Sequence, residues 1–201
     1  MDNSKAPAIT DTQSVQDKPT HYNFANLCIM FFIFAFTGWI WEVIYIGFTE
    51  GVIAKRGMLH GPWLPIYGVG GILILLILSR FRTHPAAVFA IAVLLCASME
   101  YATGVAVEYL FHCRWWDYSD KFFNIHGRIC LEGMMLFGVS GTVAVCKVGP
   151  MLNRKIGSLR WDVHLALIIL LGGAFLIDLF VSLFVAPNTG VGVTYELLTR
   201  I

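Results

Sequence analysis

Apolar segments long enough to cross a lipid bilayer dominate this chain of 201 residues. Phe24 to Trp41 carries no charged side chain, and the apolar character continues past Glu42 to about Phe48. A helix needs about 20 mostly apolar residues to span the hydrocarbon core of a membrane, where unpaired backbone groups are costly. We therefore expect a transmembrane helix with one acidic interruption.

Four further apolar segments predict an all-α, polytopic integral membrane protein with about five transmembrane helices. The expected helices cover residues 24–48, 66–80, 85–111, 129–148 and 163–186. They form one domain, 23–186, between a polar tail expected to be disordered, 1–22, and a short C-terminal tail, 187–201. Glycines and prolines interrupt Gly57–Pro65, so a broken or re-entrant segment should precede the second helix.

The composition excludes several classes of function. The chain is 57% hydrophobic and 13% charged, whereas an ordinary soluble domain has about 25% charged residues. A formal net charge of +1 offers no basic excess for nucleic acid. The absence of P-loop, serine-hydrolase and zinc-protease motifs favours a protein that is not an enzyme, without deciding the question. The five cysteines form no secreted disulfide framework, although Cys113 and Cys130 could pair.

Ionisable side chains within the apolar segments are the strongest functional signal. Each costs about 2.5–3.5 kcal/mol to insert and requires a partner or water. Antiparallel connectivity places four of them at one membrane face, namely Glu42, Arg56, Glu108 and Arg128. Glu100 lies two turns deeper than Glu108 on the same helix. These residues predict a polar cavity that binds a charged or zwitterionic solute or a lipid headgroup.

The same residues also allow a purely structural interpretation. Buried Glu and Arg side chains can neutralise one another and serve only to fix helix packing. Arg128 and Glu132 are one helical turn apart and could pair. Asp178 in the fifth helix could hold helices together or take part in transport. His126 and Cys130 are metal-ligand types without a recognised spacing, so we expect no metal and no cofactor.

Lys and Arg residues outside the helices orient the chain, because cytoplasmic loops are enriched in them. With five crossings, eight of the 14 lie on the side of the N-terminus. Two of the six on the other side, Arg56 and Arg128, belong to the predicted cavity. We therefore expect a cytoplasmic N-terminus. The eight are Lys5, Lys18, Arg80, Arg82, Lys147, Arg154, Lys155 and Arg160.

Four motifs occur in order along the chain: RGMLHGPWLPIYGVG at 56–70, EY at 100–101, WDYS at 116–119 and NIHGRICL at 124–131. Over about residues 26–148 the chain resembles the CmpB family, named as type IV ABC-transporter permeases and related to a small group of animal transmembrane proteins. The resemblance implies a multi-pass protein of the bacterial cytoplasmic (inner) membrane. With the motif positions included, the candidate ligand-binding residues are Glu42, Arg56, Tyr67, Glu100, Glu108, Trp116, Asp117, Asn124 and Arg128.

Three functions fit these features, each with membrane lipid as a partner. The first is a permease-like transport component that draws energy from a separate ATPase subunit, with a coupling helix between Lys147 and Asp162. The second is an intramembrane lipid-modifying enzyme in which Glu108 or Glu100 is a general base. The third is a non-catalytic structural or regulatory protein that forms a homo-oligomer. Small residues available for that packing are Gly138, Gly141, Gly172 and Gly173.

Overall fold

The computed structural model describes residues 21–51, 53–54, 56–112, 114–185 and 194–195. The two predicted tails lie almost entirely outside these residues. The helices in this part of the chain are α1 (Phe24–Glu50), α2 (Pro65–Leu78), α3 (Pro85–Phe111), α4 (Leu131–Val143), α5 (Gly149–Gly157) and α6 (Trp161–Phe180). Two antiparallel pairs of short strands accompany them, β1 (Ile53–Ala54) with β4 (Thr194–Tyr195), and β2 (Asn124–Ile125) with β3 (Ile129–Cys130).

Within the residues that the structure describes, four helical segments are long and apolar enough to cross a membrane. They are Phe24–Thr49, Pro85–Phe111, Leu131–Gly157 and Trp161–Val185. The 14 residues of α2 rise about 21 Å, which is less than the hydrocarbon thickness of about 30 Å. The predicted fold class, an all-α polytopic membrane protein, is confirmed.

The segment before α2 is not helical, as its glycines and prolines predicted. Gly57 has a φ of +85°, a conformation that glycine adopts without strain. Further along, the Leu64 amide donates a hydrogen bond of 3.1 Å to the Ala35 carbonyl of α1. Pro65 then opens α2, where its missing N–H leaves no intrahelical bond unmade. This broken segment is thereby attached to α1 at the point where α2 begins.

Close contact through glycines sets the packing of the helix pairs. A Cβ at Gly138 or Gly141 of α4 would collide with side chains of α3, such as Phe89. These two glycines are therefore used within one chain, which removes them from the homo-oligomer contact considered above. A Cβ at Gly172 or Gly173 of α6 would have no neighbour within 4 Å.

Fully buried apolar side chains gather at one end of the helix bundle. Met30 of α1, Leu75 and Leu78 of α2, Val88 of α3 and Val145 after α4 belong to this core. These positions lie near the start of α1 and α3 and near the end of α2 and α4. The opposite end of the bundle, where α1 and α3 end and α4 begins, holds the charged residues that the sequence singled out.

The fourth helix is longer than the predicted range of 129–148. A π-helical turn, Ala144–Val148, joins α4 to α5. Pro150 has no backbone N–H, and the wider π-helical turn before it does not follow the regular hydrogen-bonding pattern of an α-helix. The chain can therefore continue as a helix through Pro150. Most of the loop predicted between Lys147 and Asp162 is therefore helical, and α6 follows after residues 158–160.

Candidate functional site

Two arginines bind glutamates at the polar end of the bundle. Arg56 Nε lies 2.9 Å from Glu42 Oε2, and Arg128 Nη2 lies 2.5 Å from Glu108 Oε2. Arg114 Nε also reaches Glu108, at 3.3 Å. The four residues that the sequence placed at one membrane face therefore form two ion pairs, which join the end of α1 to the broken segment and the end of α3 to the start of β3.

Two tyrosines connect further carboxylates to this region. Tyr67 Oη donates a hydrogen bond of 3.0 Å to Glu42 Oε1, and Tyr118 Oη donates one of 3.1 Å to Glu100 Oε1. Burial raises the pKa of Tyr118, and the nearby charges of Glu100 and Glu42 raise it further. Tyr118 therefore keeps its proton and donates a hydrogen bond to Glu100.

We call these three neighbouring groups of bonded side chains the polar cluster. Its members come from α1, the broken segment, α2, α3 and the segment between α3 and α4. They are Glu42, Arg56, Tyr67, Glu100, Glu108, Tyr118 and Arg128.

A tight hairpin positions Arg128 within the polar cluster. His126 and Gly127, which join β2 to β3, have φ values of +54° and +68°. Positive φ at both central residues is typical of the type I′ turn of two-residue hairpins, and the Arg128 amide closes this turn on the Ile125 carbonyl at 3.0 Å. Trp116 Nε1 then donates to the Arg128 carbonyl at 2.9 Å. The hairpin turns the Arg128 side chain toward α3.

The remaining motif residues hold the loop between α3 and α4. Asn124 Oδ1 accepts from the Gly127 amide at 3.1 Å, while its Nδ2 donates to the Ser119 and Lys121 carbonyls at 3.0 Å. Asp117 Oδ1 accepts from the hydroxyl and the amide of Ser119. Both bonds lower the pKa of Asp117, and the bond from the Ser119 hydroxyl has the larger effect. Asn124 and Asp117 therefore support the loop that carries Tyr118 and Arg128.

Two buried atoms of the polar cluster have no hydrogen-bond partner in the part of the chain that the structure describes. They are Glu100 Oε2 and Arg128 Nε. Glu100 is 7% exposed, and the Arg128 guanidinium lies 5.5 Å from the centre of the Tyr101 ring. Gly104 makes room here, because an added Cβ would lie 3.3 Å from Arg128 Cδ and 3.5 Å from Trp116 Cζ2.

Several sequence interpretations of single residues change. Arg128 does not pair with Glu132, which instead lies 3.5 Å from Lys121 Nζ. His126, considered as a metal ligand, hydrogen-bonds through Nδ1 with Tyr101 Oη at 2.9 Å. Cys130 is a buried free cysteine, and Cys113 lies outside the described residues.

Asp178 binds the broken segment. Its Oδ1 accepts from the His60 amide at 3.0 Å, and its Oδ2 accepts from the Gly61 amide and Trp63 Nε1, each at 2.9 Å. Ser182, one turn further along, also donates to it. These contacts favour the interpretation of Asp178 as a residue that holds α6 to the rest of the bundle.

Tyr118 and Gly38 contribute to the cluster although the sequence did not single them out. Tyr118 stood within the WDYS motif, and its position beside Glu100 depends on the fold of the loop. An added Cβ at Gly38 would overlap the Tyr67 ring. In the sequence, the only indication that Gly38 leaves space for a neighbouring side chain is that a glycine occurs within a membrane-spanning helix.

A cavity of about 410 Å³ lies outside the polar cluster, between α1 and α4. It is lined mostly by apolar side chains, and its lining consists of Trp41, Tyr45, Glu132, Met135, Leu136 and Val139.

The comparisons with known proteins identify a family. Residues 29–183 match the family model described as "Putative ABC-transporter type IV", the CmpB family. No curated protein and no solved structure matches the chain. The match covers the polar cluster, the broken segment and all six helices over most or all of their length. The chain therefore belongs to the CmpB family.

Proposed function

We propose that this protein is the membrane component of an ABC-type transporter and that it binds a small charged solute or a lipid headgroup in the polar cluster. The observation that carries the proposal is Glu100. This carboxyl group is 93% buried, accepts a single hydrogen bond from Tyr118, and has no cationic partner among the described residues.

The ion pairs alone would be compatible with a structural role. Glu42 with Arg56, and Glu108 with Arg128, neutralise each other and join separate elements. Glu100 is different, because burying an ionisable group in a lipid-spanning helix is costly and a hydrogen bond from one phenol compensates only part of that cost. An ionisable residue kept in such a position is typical of a ligand or ion pathway.

A separate ATPase subunit would supply the energy, since the sequence has no P-loop of its own. The helix α5 supports this part of the proposal. It lies at the end of the bundle opposite the polar cluster and exposes Arg154 and Lys155 in its last turn. An acidic surface of an ATPase would complement these charges.

Copurification tests the ATPase partner. The intact protein, gently extracted from its native membrane, should retain an ATPase subunit in native mass spectrometry. Reversing the charge of α5, with Arg154→Glu and Lys155→Glu together, should release that subunit. The matched control exchanges the two cations, with Arg154→Lys and Lys155→Arg, and should retain it. Purification without any ATPase from wild-type membranes would contradict the transporter assignment.

Substitutions in the polar cluster test the binding site. Glu108→Gln removes the negative charge that Arg128 binds, whereas Arg128→Lys keeps the positive charge but replaces the planar guanidinium by an ammonium group. Both variants should lose a small molecule that copurifies with the wild-type protein while still inserting into the membrane. Wild-type behaviour of both would exclude the polar cluster as the site.

A further inference from the structure

Two buried atoms of opposite hydrogen-bonding character belong to the polar cluster. Glu100 Oε2 is an acceptor and Arg128 Nε is a donor, and among the described residues neither has a hydrogen-bond partner. Each residue is already held through its other atoms, Glu100 by Tyr118 and Arg128 by Glu108. The free atoms are therefore fixed in place by the bonds that surround them, as preorganised ligand-binding groups are.

Glu100 and the Arg128 side chain lie along the same side of α3. Glu100 and Gly104 are four residues apart and thus occupy one face of the helix, about 6 Å apart along its axis. The Cβ position at Gly104 is 3.3 Å from Arg128 Cδ, the carbon bonded to Nε, and 3.5 Å from Trp116 Cζ2. The Arg128 side chain therefore passes α3 at Gly104, one helical turn along the chain from Glu100.

The charges in this region are unevenly compensated. Glu42 is paired with Arg56, and Glu108 is shared between Arg128 and Arg114. Within the described residues Glu100 has no cation at ion-pair distance. A ligand with a positive group beside Glu100 would supply the missing charge, and an anionic oxygen on the same ligand would satisfy Arg128 Nε.

We infer that the polar cluster binds a zwitterion, whose ammonium group donates to Glu100 Oε2 and whose anionic oxygen accepts from Arg128 Nε. The inference rests on the proposed function and names the class of its ligand. Both a soluble amino-phosphate compound and the headgroup of an aminophospholipid provide this chemistry, with the two charged groups separated by a few bonds.

Binding measurements on the purified full-length protein in maltoside micelles test this inference. The probes are glycerophosphoethanolamine, which carries both charges, ethanolamine, which carries only the cation, and glycerol phosphate, which carries only the anion. The zwitterion should bind at least about tenfold more tightly than either single-charge probe, because only it satisfies both buried groups. Glu100→Gln should reduce that advantage by about tenfold or more.

Other outcomes of this comparison overturn the inference. If ethanolamine bound as tightly as glycerophosphoethanolamine, Arg128 would have no role in binding the anionic group. If glycerol phosphate bound as tightly, Glu100 would have no role in binding the ammonium group. Absence of binding both by the three probes and by phosphatidylethanolamine would also contradict it. Phosphatidylethanolamine is tested in parallel, and binding of this lipid without binding of glycerophosphoethanolamine would assign the zwitterion to a lipid headgroup.

A steric variant keeps the test independent of the charged residues. Gly104→Ala places a methyl group 3.3 Å from Arg128 Cδ and 3.5 Å from Trp116 Cζ2 and should weaken zwitterion binding while the helix remains folded. Gly173→Ala is the matched control, since its added Cβ meets no atom within 4 Å. Unchanged affinity in Gly104→Ala would contradict the proposed location. Retention of an ATPase by a protein that fails these tests would leave the transporter assignment standing and reject only the ligand class.

Discussion

At the scale of single residues, glycines decide where the polar side chains can lie. Gly38 leaves space on α1 for the Tyr67 ring, whose hydroxyl donates to Glu42. Gly104 leaves space on α3 for the Arg128 side chain. A helix that crosses a membrane could accommodate alanine at either position by itself, so the requirement for glycine comes from the neighbouring element.

Replacing Gly38 by alanine should destabilise the protein by about 1–3 kcal/mol, the range for overpacking a close contact. The Tyr67 ring must move, and its hydrogen bond to Glu42 is weakened or lost. Thermal unfolding in micelles measures the effect. Gly47→Ala is the control on the same helix, because its Cβ would meet nothing within 4 Å. Equal stability of the two variants would contradict the packing described here.

The pKa of Asp117 provides a second test at this scale. Hydrogen bonds from Ser119 stabilise the ionised carboxylate and lower its pKa. A lowered folded-state pKa gives stability that is present above the unfolded pKa and is lost as the pH falls through the folded value. The loop between α3 and α4 should therefore stay ordered until the pH falls below the range in which aspartate side chains usually titrate.

Ser119→Ala should raise the pKa of Asp117 toward its usual value, because it removes the largest of these contributions. NMR titration of the labelled Asp117 carboxyl group measures the change. Substitution of an exposed neighbour, Asp120→Asn, serves as the control and should leave the Asp117 titration nearly unchanged. An equal pKa in wild type and Ser119→Ala would contradict the assigned hydrogen bond.

At the scale of elements, α6 is held to the bundle by polar contacts near both ends. Near its start, His164 Nε2 hydrogen-bonds with Asn26 Oδ1 at 3.0 Å, and Asn26 Nδ2 donates to Asn153 Oδ1 at 2.8 Å. Near its end, Asp178 accepts hydrogen bonds from the His60 and Gly61 amides and from the Trp63 indole, all in the broken segment. Few other side chains of α6 are buried, so these contacts define its position.

Asp178→Ala should destabilise the attachment of α6 by about 3 kcal/mol or more, because several donors of the broken segment lose a charged acceptor. The expected readouts are a lower unfolding temperature and faster proteolysis between α5 and α6. Asp162→Ala is the control, since this exposed carboxylate pairs only with the exposed Arg160. Wild-type stability of Asp178→Ala would show that the apolar contacts of α6 suffice.

At the scale of the whole molecule, the bundle has an apolar end and a polar end. Near the polar end each of four cations is bonded to a carboxylate, namely Arg56, Arg114, Lys121 and Arg128. Near the other end, Lys147, Arg154 and Lys155 have no ion pair among the described residues. Unpaired cations at the end where α1 begins strengthen the prediction of a cytoplasmic N-terminus.

Cysteine labelling on intact cells tests this orientation. In a background without the five native cysteines, Asp120→Cys should react with a membrane-impermeant maleimide from outside. Ser158→Cys, between α5 and α6, should react only after permeabilisation. Both positions are exposed in the folded chain. The reverse labelling pattern would place the N-terminus outside the cytoplasm.

The sequence by itself determined the fold class, because the length of the apolar segments restricts this chain to membrane-spanning helices. Connectivity also sufficed to predict that Glu42, Arg56, Glu108 and Arg128 meet at one end. It did not determine which side chains bond. The possible pair of Arg128 with Glu132 assumed a shared helix, whereas α4 begins only at Leu131.

Only the tertiary structure decided the partners, because each depends on elements that are distant in the chain. The type I′ hairpin directs Arg128 to Glu108, and the loop that carries Tyr118 brings it to Glu100. The space at Gly104 likewise becomes apparent only when α3 faces this hairpin. Hydrophobicity is a property of each segment, but hydrogen bonding requires atoms at matched distances and angles, which only the assembled bundle provides.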